Sequence, residues 1–220
     1  MKSSPGLLFI VTLLVSIRLQ AEEPWRELFD GKSLSGWKAN AYPDSWTVVD
    51  GAIKANATKE SSHLFYVGDK KSDFVRFKNF ELEVICRGVR GSNSGIFIHT
   101  GLETHAAAKR LSQGYEIQLN STENEKRKTG SLYAVVDLDR SPVDETRWFT
   151  ARITVQNQRI TIQVNGVTTV DYTEPADAAA QRPPERKGRV LSSDGGAIAL
   201  QAHDRKSVFY FKSVRIRSLP

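Results

Sequence analysis

The sequence predicts an all-β protein, a sandwich or barrel of short antiparallel strands. Three observations carry that reading. Apolar and polar residues alternate with a period of two in segment after segment. Turn pairs such as Asp50-Gly51 and Asn165-Gly166 fall between those segments. Helical periodicity is nearly absent along the chain.

Residues 46–49 and 52–54 flank Asp50-Gly51 and read as a hairpin, and residues 62–67 follow as a strand. Within 80–87, Phe80, Leu82, Val84 and Cys86 share one face, the pattern of a half-buried strand. Residues 94–100, 115–120 and 131–136 continue it. Residues 152–156, 159–165 and 168–172 form a meander whose second turn is Asn165-Gly166, and 197–203 and 207–217 close the chain. Two segments look irregular. Residues 101–114 have room for a helical turn through Ala106-Ala107-Ala108-Lys109-Arg110. Residues 174–196 hold Pro175, Pro183, Pro184 and Gly188 and read as a long connection, a kind of segment that often carries function.

At the N-terminus, Lys2 precedes an apolar run over 7–17, and Leu19-Gln20-Ala21 ends on a small residue. That is the layout of a secretory signal peptide. The run is shorter than the roughly 20 apolar residues of a membrane-spanning helix. The expectation is a signal peptide at 1–21, a single domain at 22–220, and a secreted or periplasmic monomer with no stable membrane span. Loss of Lys2 and Arg18 lowers the net charge from +6 to +4. The remaining excess is scattered, and Lys126-Arg127-Lys128 sits beside Glu123 and Glu125. Nucleic-acid binding needs a concentrated basic face, so no nucleic-acid partner is expected. A lone cysteine, Cys86, allows no internal disulfide and reads as a small core hydrophobe.

Several motifs carry a resemblance. The stretch Leu28-Phe29-Asp30-Gly31-Lys32-Ser33-Leu34-Ser35-Gly36-Trp37 comes first. Asn93-Ser94-Gly95-Ile96-Phe97-Ile98-His99, Gly114-Tyr115-Glu116-Ile117-Gln118-Leu119 and Thr129-Gly130-Ser131-Leu132-Tyr133 follow in order. Gly188-Arg189-Val190-Leu191, Ile198-Ala199-Leu200-Gln201-Ala202-His203 and Val214-Arg215-Ile216 complete the set. Together they resemble the 3-keto-disaccharide hydrolase family over nearly the whole mature chain. The resemblance implies an antiparallel jelly-roll β-sandwich of the concanavalin A-like lectin/glucanase type, with a sugar site on a concave face. It also implies action on glycosides already oxidised to a ketone at carbon 3. The family's Gly-x-Phe-x-Arg strand usually ends in arginine, and here that position is His99, a titratable ring in place of a permanent cation.

Strand alternation sorts the site candidates without the family. Glu116, Gln118 and Asn120 face away from Tyr115, Ile117 and Leu119. Ala199, Gln201 and His203 face away from Ile198, Leu200 and Ala202. Gly95, Phe97 and His99 are expected to share a face. Polar groups beside small or aromatic residues suit a sugar ring, although a merely wet sheet face gives the same pattern. The candidates are Glu116 and His203 for catalysis, and His99, Gln118, Gln201, Tyr133, Phe97 and Asn93 for substrate binding. His63, at a strand start, reads as ordinary surface, and His105 lies where it could overhang the site.

The chemistry narrows the route. Ordinary glycosidases pair two carboxylates about 5–5.5 Å or about 6.5–9.5 Å apart. Laminarinase-like relatives of the implied fold carry both on one strand, where this chain has Gln118 and Asn120 after Glu116. A 3-keto sugar needs less, because the ketone acidifies the proton on carbon 2. One base can remove it, the group on carbon 1 leaves, and water can add back. Glu116 or His203 could be that base, with Gln118, Gln201 or His99 polarising the ketone. A divalent metal held by Glu116 and histidine is left open, and no cofactor is assigned. The alternative is a non-catalytic, lectin-like carbohydrate-binding module using the same face. An ordinary glucanase is disfavoured by the missing second carboxylate.

Overall fold

The computed structural model describes residues 23–69, 74–102 and 111–220. The expected signal peptide, the helical turn over 106–110 and His105 lie outside the described residues. Thirteen strands, one short α-helix and two 3-10 turns (Pro43–Ser45 and Pro184–Arg186) are assigned among them. They are β1 (Arg26–Glu27), β2 (Trp37–Ala39), β3 (Trp46–Val49), β4 (Ala52–Ala55), β5 (Ser62–Tyr66), β6 (Phe80–Gly88) and β7 (Asn93–Thr100). After these come β8 (Tyr115–Asn120), β9 (Phe149–Gln156), β10 (Arg159–Val164), β11 (Val167–Thr173), α1 (Ala178–Gln181), β12 (Ala197–Ala202) and β13 (Phe209–Ser218). All strand pairings are antiparallel. The eight-stranded sheet runs β11-β10-β9-β6-β13-β4-β3, with β1 beside β13. The five-stranded sheet runs β2-β5-β12-β7-β8. The fold is the all-β jelly-roll sandwich that the sequence predicts.

Alternation explains what fills the space between the sheets. Leu82, Val84, Cys86, Ile153 and Val155 come from the large sheet, and Ile96, Ile98, Ile117, Leu119, Ile198 and Leu200 from the small one. In β13 the inward phase changes. Phe209 and Phe211 are buried at odd positions, Val214 and Ile216 at even ones, and the register against β6 shifts between Phe211 and Ser213. A bulge inserts one residue there and keeps all four apolar side chains on the core. The hairpin turns follow the sequence signals. Asp50-Gly51 and Asn165-Gly166 both have positive φ at each residue, the conformation of the tight turn that matches strand twist.

Three elements differ from the sequence reading. β1 and β2 are too short for periodicity to reveal. Residues 131–136 form no named strand. Leu132 bridges to Ile117 and to Val136 around a turn in which Ala134 has φ +59° and its N–H meets Asp137 Oδ1 at 2.7 Å. That segment still covers the edge of β8, since Gln118 N–H bonds Ser131 O and Tyr133 N–H bonds Glu116 O.

The small sheet is buried on both faces. Every residue of β7, β8 and β12 is buried. A second apolar cluster, Phe65, Val67, Phe74, Phe97, Leu111, Ala197 and Ala199, lies on the face turned away from the main core. Polar residues of the same strands continue that outer face, beneath the segments 111–114, 121–138 and 174–196.

Cys86 is fully buried in the main core, and burial pushes its thiol far above its ordinary value, with Glu145 adding in the same direction. The thiolate is the reactive form. The thiol should therefore not react with an aromatic disulfide reagent in native buffer and should titrate as one equivalent in denaturant. Rapid native labelling would contradict this placement.

Candidate active site

The outer face of the small sheet is organised in cross-strand rows. Glu116 on β8 pairs with Phe97 on β7, which pairs with Ala199 on β12, which pairs with Phe65 on β5. In the next row Gln118 pairs with Gly95, and Gln201 pairs with His63. Gly95 leaves a hollow between the two glutamines. A Cβ there would lie 2.8 Å from Glu116 Oε1 and 3.2 Å from Phe97 Cε2, so the Glu116 carboxylate leans over the glycine. A cavity of about 600 Å³ stands on this floor, within the usual range of about 300–1,000 Å³ for ligand sites. Asn93, Phe97, Glu116, Gln118, Tyr133, Gln201 and His203 all line it. Asn93 Oδ1, Gln118 Oε1 and Gln201 Oε1 are buried and have no hydrogen-bond partner among the described residues. Buried acceptors left so are uncommon in folded proteins, and these three lie together in the polar floor of the cavity.

The roof comes from the long connection 174–196. Gly188 is where it docks. Gly114 N–H bonds Gly188 O at 2.9 Å, and a Cβ on Gly188 would lie 2.5 Å from Ser112 O. A second anchor is polar. The Tyr115 hydroxyl donates to Glu174 Oε2, which also accepts Leu191 N–H at 2.9 Å. Arg182 Nη2 donates to the Tyr172 and Tyr115 hydroxyls at 3.1 and 3.3 Å. Burial, then the bond to Glu174, holds the Tyr115 phenol well above the ordinary value. So anchored, the connection brings Arg182, Arg186 and Arg189 to the cavity. Arg189 lies 3.9 Å from Glu116 Oε2 as an ion pair, with its guanidinium 5.5 Å from the Phe97 ring centre. Tyr133 is flanked by the guanidiniums of Arg127 and Arg186 at 4.6 and 5.5 Å.

At the end of β12 the chain turns, and His203 Nδ1 meets Asp204 Oδ2 at 2.7 Å. Asp204 also accepts Lys206 N–H, Ser207 N–H and the Ser207 hydroxyl. Burial raises its carboxyl pKa, but the bonds from His203, Lys206 and Ser207 outweigh burial and hold it below the usual carboxylate value. Among the described residues no group of three His, Cys, Asp or Glu side chains is arranged to hold a metal ion. Glu116 is directed at Arg189 and His203 at Asp204, so the donors suggested by the sequence do not form a metal-holding set.

Two histidines depart from the sequence reading. His99 does not line the cavity. β12 pairs with β7 as Leu200 with Ile96 and Ala199 with Phe97, then as Ala197 with Thr100, so β7 carries one extra residue. His99 sits in that bulge with φ +53°, off the face of Gly95 and Phe97. Its Nδ1 accepts Ser192 N–H at 3.1 Å, which leaves Nε2–H to donate to Lys78 O at 2.9 Å. Burial holds it below the ordinary histidine value, the neutral form those bonds require. His63 is not surface either: it is fully buried beneath the site, 5.0 Å ring to ring from Phe97 and 3.4 Å from the Gln201 amide nitrogen. Burial, and then the charges of Arg189 and His203, press its pKa down to about 3. Sequence reasoning also passed over Arg189, Arg182, Arg186 and Asp204. The signals were the Gly188-Arg189 pair inside the proline-bearing connection and the His203-Asp204 pair before a turn.

The cavity, its amide floor and its arginine roof stand on the motifs that matched a family in the sequence. A family described as the 3-keto-alpha-glucoside-1,2-lyase-like domain matches residues 24–217. The chain belongs to this family. A curated relative, a 3-keto-disaccharide hydrolase of Bacteroides thetaiotaomicron, is 38% identical over 73 residues, which are 32% of this chain and 25% of that protein. The aligned stretch therefore spans a quarter of that relative's length. A crystal structure of a candidate glycosyl hydrolase from Parabacteroides distasonis superposes with TM-score 0.73 at 22% identity, covering 89% of this chain and 94% of that one. A carbohydrate binding module from Bacillus subtilis superposes with TM-score 0.53 at 13% identity, over 84% and 96% of the two chains, and shares the fold. The descriptions of the family, of this relative and of these two structural neighbours all concern carbohydrates. Among the described residues no helix is long and apolar enough to cross a membrane.

Two outcomes follow from this geometry. Gly95→Ala should leave the fold intact and displace the Glu116 carboxylate, weakening binding of a sugar ligand in a calorimetric titration while the thermal midpoint changes little. The second concerns pH. His63 binds a proton below about pH 6.5 when unfolded and only near pH 3 when folded. Its contribution to stability is therefore complete above about pH 6.5 and is lost as pH falls toward 3, by roughly 1.4 kcal/mol per unit. Between pH 7 and 5, urea unfolding of His63→Gln should show a shallower loss of stability than the wild type; equal slopes would contradict it.

Proposed function

We propose that the protein cleaves glycosides whose sugar carries a ketone at carbon 3, by removal of the carbon 2 proton. The observation that carries this reading is the cavity floor. Of the strand residues facing the cavity, Glu116 is the single carboxylate, and it stands among amides, an aromatic ring and an imidazole. Of the other carboxylates that line the cavity, Glu125 is engaged by Arg127, Asp204 by His203 and its own turn, and Glu185 belongs to the roof rather than the floor. An acid–base pair of the ordinary glycosidase kind is thus not offered by the floor. The names of the family and of its Bacteroides thetaiotaomicron relative point to the 3-keto class and to a lyase-like step.

The reaction balances with groups that the site holds. A base takes the proton from carbon 2, and the C–H electron pair forms the enolate of the carbon 3 ketone. The enolate collapses, the bond from carbon 1 to the leaving oxygen breaks, and that oxygen takes the proton handed on by the protonated base. Water adding to the resulting alkene completes net hydrolysis; without that step the product is that of a lyase. Glu116 and His203 are the two proton-transfer groups. Arg189 and the Gln118 and Gln201 amides supply charge and hydrogen bonds for the developing enolate and the sugar hydroxyls.

Turnover is the test. The protein should consume a 3-keto-glucoside and leave its unoxidised parent intact. Glu116→Gln should lower kcat at least about 10²-fold, the lower bound for a lost acid–base group, with substrate still bound. His203→Ala should also cost activity. Saturable binding of either sugar without turnover would favour the binding-module reading. Wild-type turnover by folded Glu116→Gln would remove Glu116 from proton transfer.

A further inference from the structure

We infer that Asp204 is a positioning residue that makes His203 Nε2 the proton acceptor of the cavity, an assignment that rests on the proposed proton abstraction. A neutral imidazole carries one proton, and which nitrogen holds it is set by the bond the other atoms make. A carboxylate can only accept, so the contact of Asp204 Oδ2 with His203 Nδ1 at 2.7 Å places the proton on Nδ1. Nε2 is left with a free electron pair, on a side chain that lines the cavity together with Gln201 and Glu116.

The carboxylate divides its work between its two oxygens. Oδ1 takes the Lys206 and Ser207 N–H groups at 2.8 and 3.0 Å and shapes the turn. Oδ2 takes His203 and the Ser207 hydroxyl, the latter at 3.0 Å. The turn is tied in its own right to the cavity floor, because Ser207 Oγ accepts Asn93 N–H at 2.9 Å and Val208 N–H bonds Ser92 Oγ at 2.9 Å. The imidazole is thus oriented from a fixed base. When Nε2 takes the carbon 2 proton, the ring becomes an imidazolium whose charge faces the Asp204 carboxylate. Glu116 has a different counterpart, the Arg189 guanidinium, which sets it apart as a group whose negative charge is already matched before substrate arrives.

The division of labour provides a clean test. Asp204→Asn keeps an acceptor oxygen for the two turn N–H groups and puts a donor NH2 where Oδ2 stood. His203 should then place its proton on Nε2 and offer Nδ1 to the amide, losing the free pair on Nε2. Nitrogen-15 NMR of the imidazole should show the Nδ1–H form in the wild type and the Nε2–H form in Asp204→Asn. With a 3-keto-glucoside, kcat of the variant should fall by about 10²–10⁴-fold with KM little changed. Asp204→Glu, which restores an acceptor-only group, should recover the Nδ1–H form and part of kcat. An Nε2–H form in the wild type, or an Asp204→Asn protein with wild-type kcat, would overturn the assignment. If the wild type turns over no 3-keto sugar, the functional reading falls, and the NMR measurement still decides which nitrogen Asp204 controls.

Discussion

The small sheet has to be covered on both faces, and the site follows from how its outer face is covered. One face packs on the main core, and the other is half apolar and half polar. Leaving the apolar half in water would forgo roughly 25 cal/mol for each Å² of apolar surface. Covering the polar half without partners would cost more than it returns. The connection 174–196 meets both demands by arching over the face and being pinned at its ends and middle. Glu174 holds one end to Tyr115, Gly188 docks the middle on Gly114, and His99 holds the other end through Ser192. Between those pins the chain stands off the floor, and the space beneath is the cavity.

Charge within the cavity is matched locally. Arg189 faces Glu116, Asp204 faces His203, and Arg127 faces Glu125. His63, enclosed beneath them, is kept neutral first by burial and then by the nearby charge of Arg189. A neutral His63 also accounts for the orientation of Gln201. The amide nitrogen points at the imidazole 3.4 Å away, and the carbonyl oxygen is left buried without a hydrogen-bond partner among the described residues.

Much of this was legible in the sequence because the strands obey a period of two. Glu116 and Gln118 on β8, Gln201 and His203 beyond Leu200, and Gly95 and Phe97 on β7 all lie on the face that alternation assigned. His99 failed because a bulge changes parity, and nothing in Ile96-Phe97-Ile98-His99 marks an extra residue. His63 failed because a histidine at the start of the strand 62–67 read as surface, whereas β5 is covered on both faces and Ser62 and His63 are both buried. Arg189 and Asp204 act from non-repetitive chain, where no periodicity tells which way a side chain points. Their placement depends on where Gly188 docks and how Asp204 closes its turn, both of which require the folded sheet.

The departure at position 99 takes on a physical meaning in this light. The resemblance puts an arginine, a permanent cation, at the end of that strand, where this chain has His99. In this chain the position is a bulge packed against Phe80, with both ring nitrogens committed to backbone groups. A neutral imidazole can donate at one nitrogen and accept at the other; a guanidinium has donors only. The Ser192 N–H needs an acceptor, so at this position the histidine performs a structural task that an arginine side chain could not. The cation beside Glu116 is instead Arg189, carried by the very connection that the histidine helps to pin. On the proposed elimination route the negative charge grows on the ketone oxygen, and a fixed guanidinium in a partly enclosed site stabilises such charge better than solvent does. On that route, pinning the roof falls to His99 on β7 and stabilising the reacting oxygen to Arg189 on the connection that it pins.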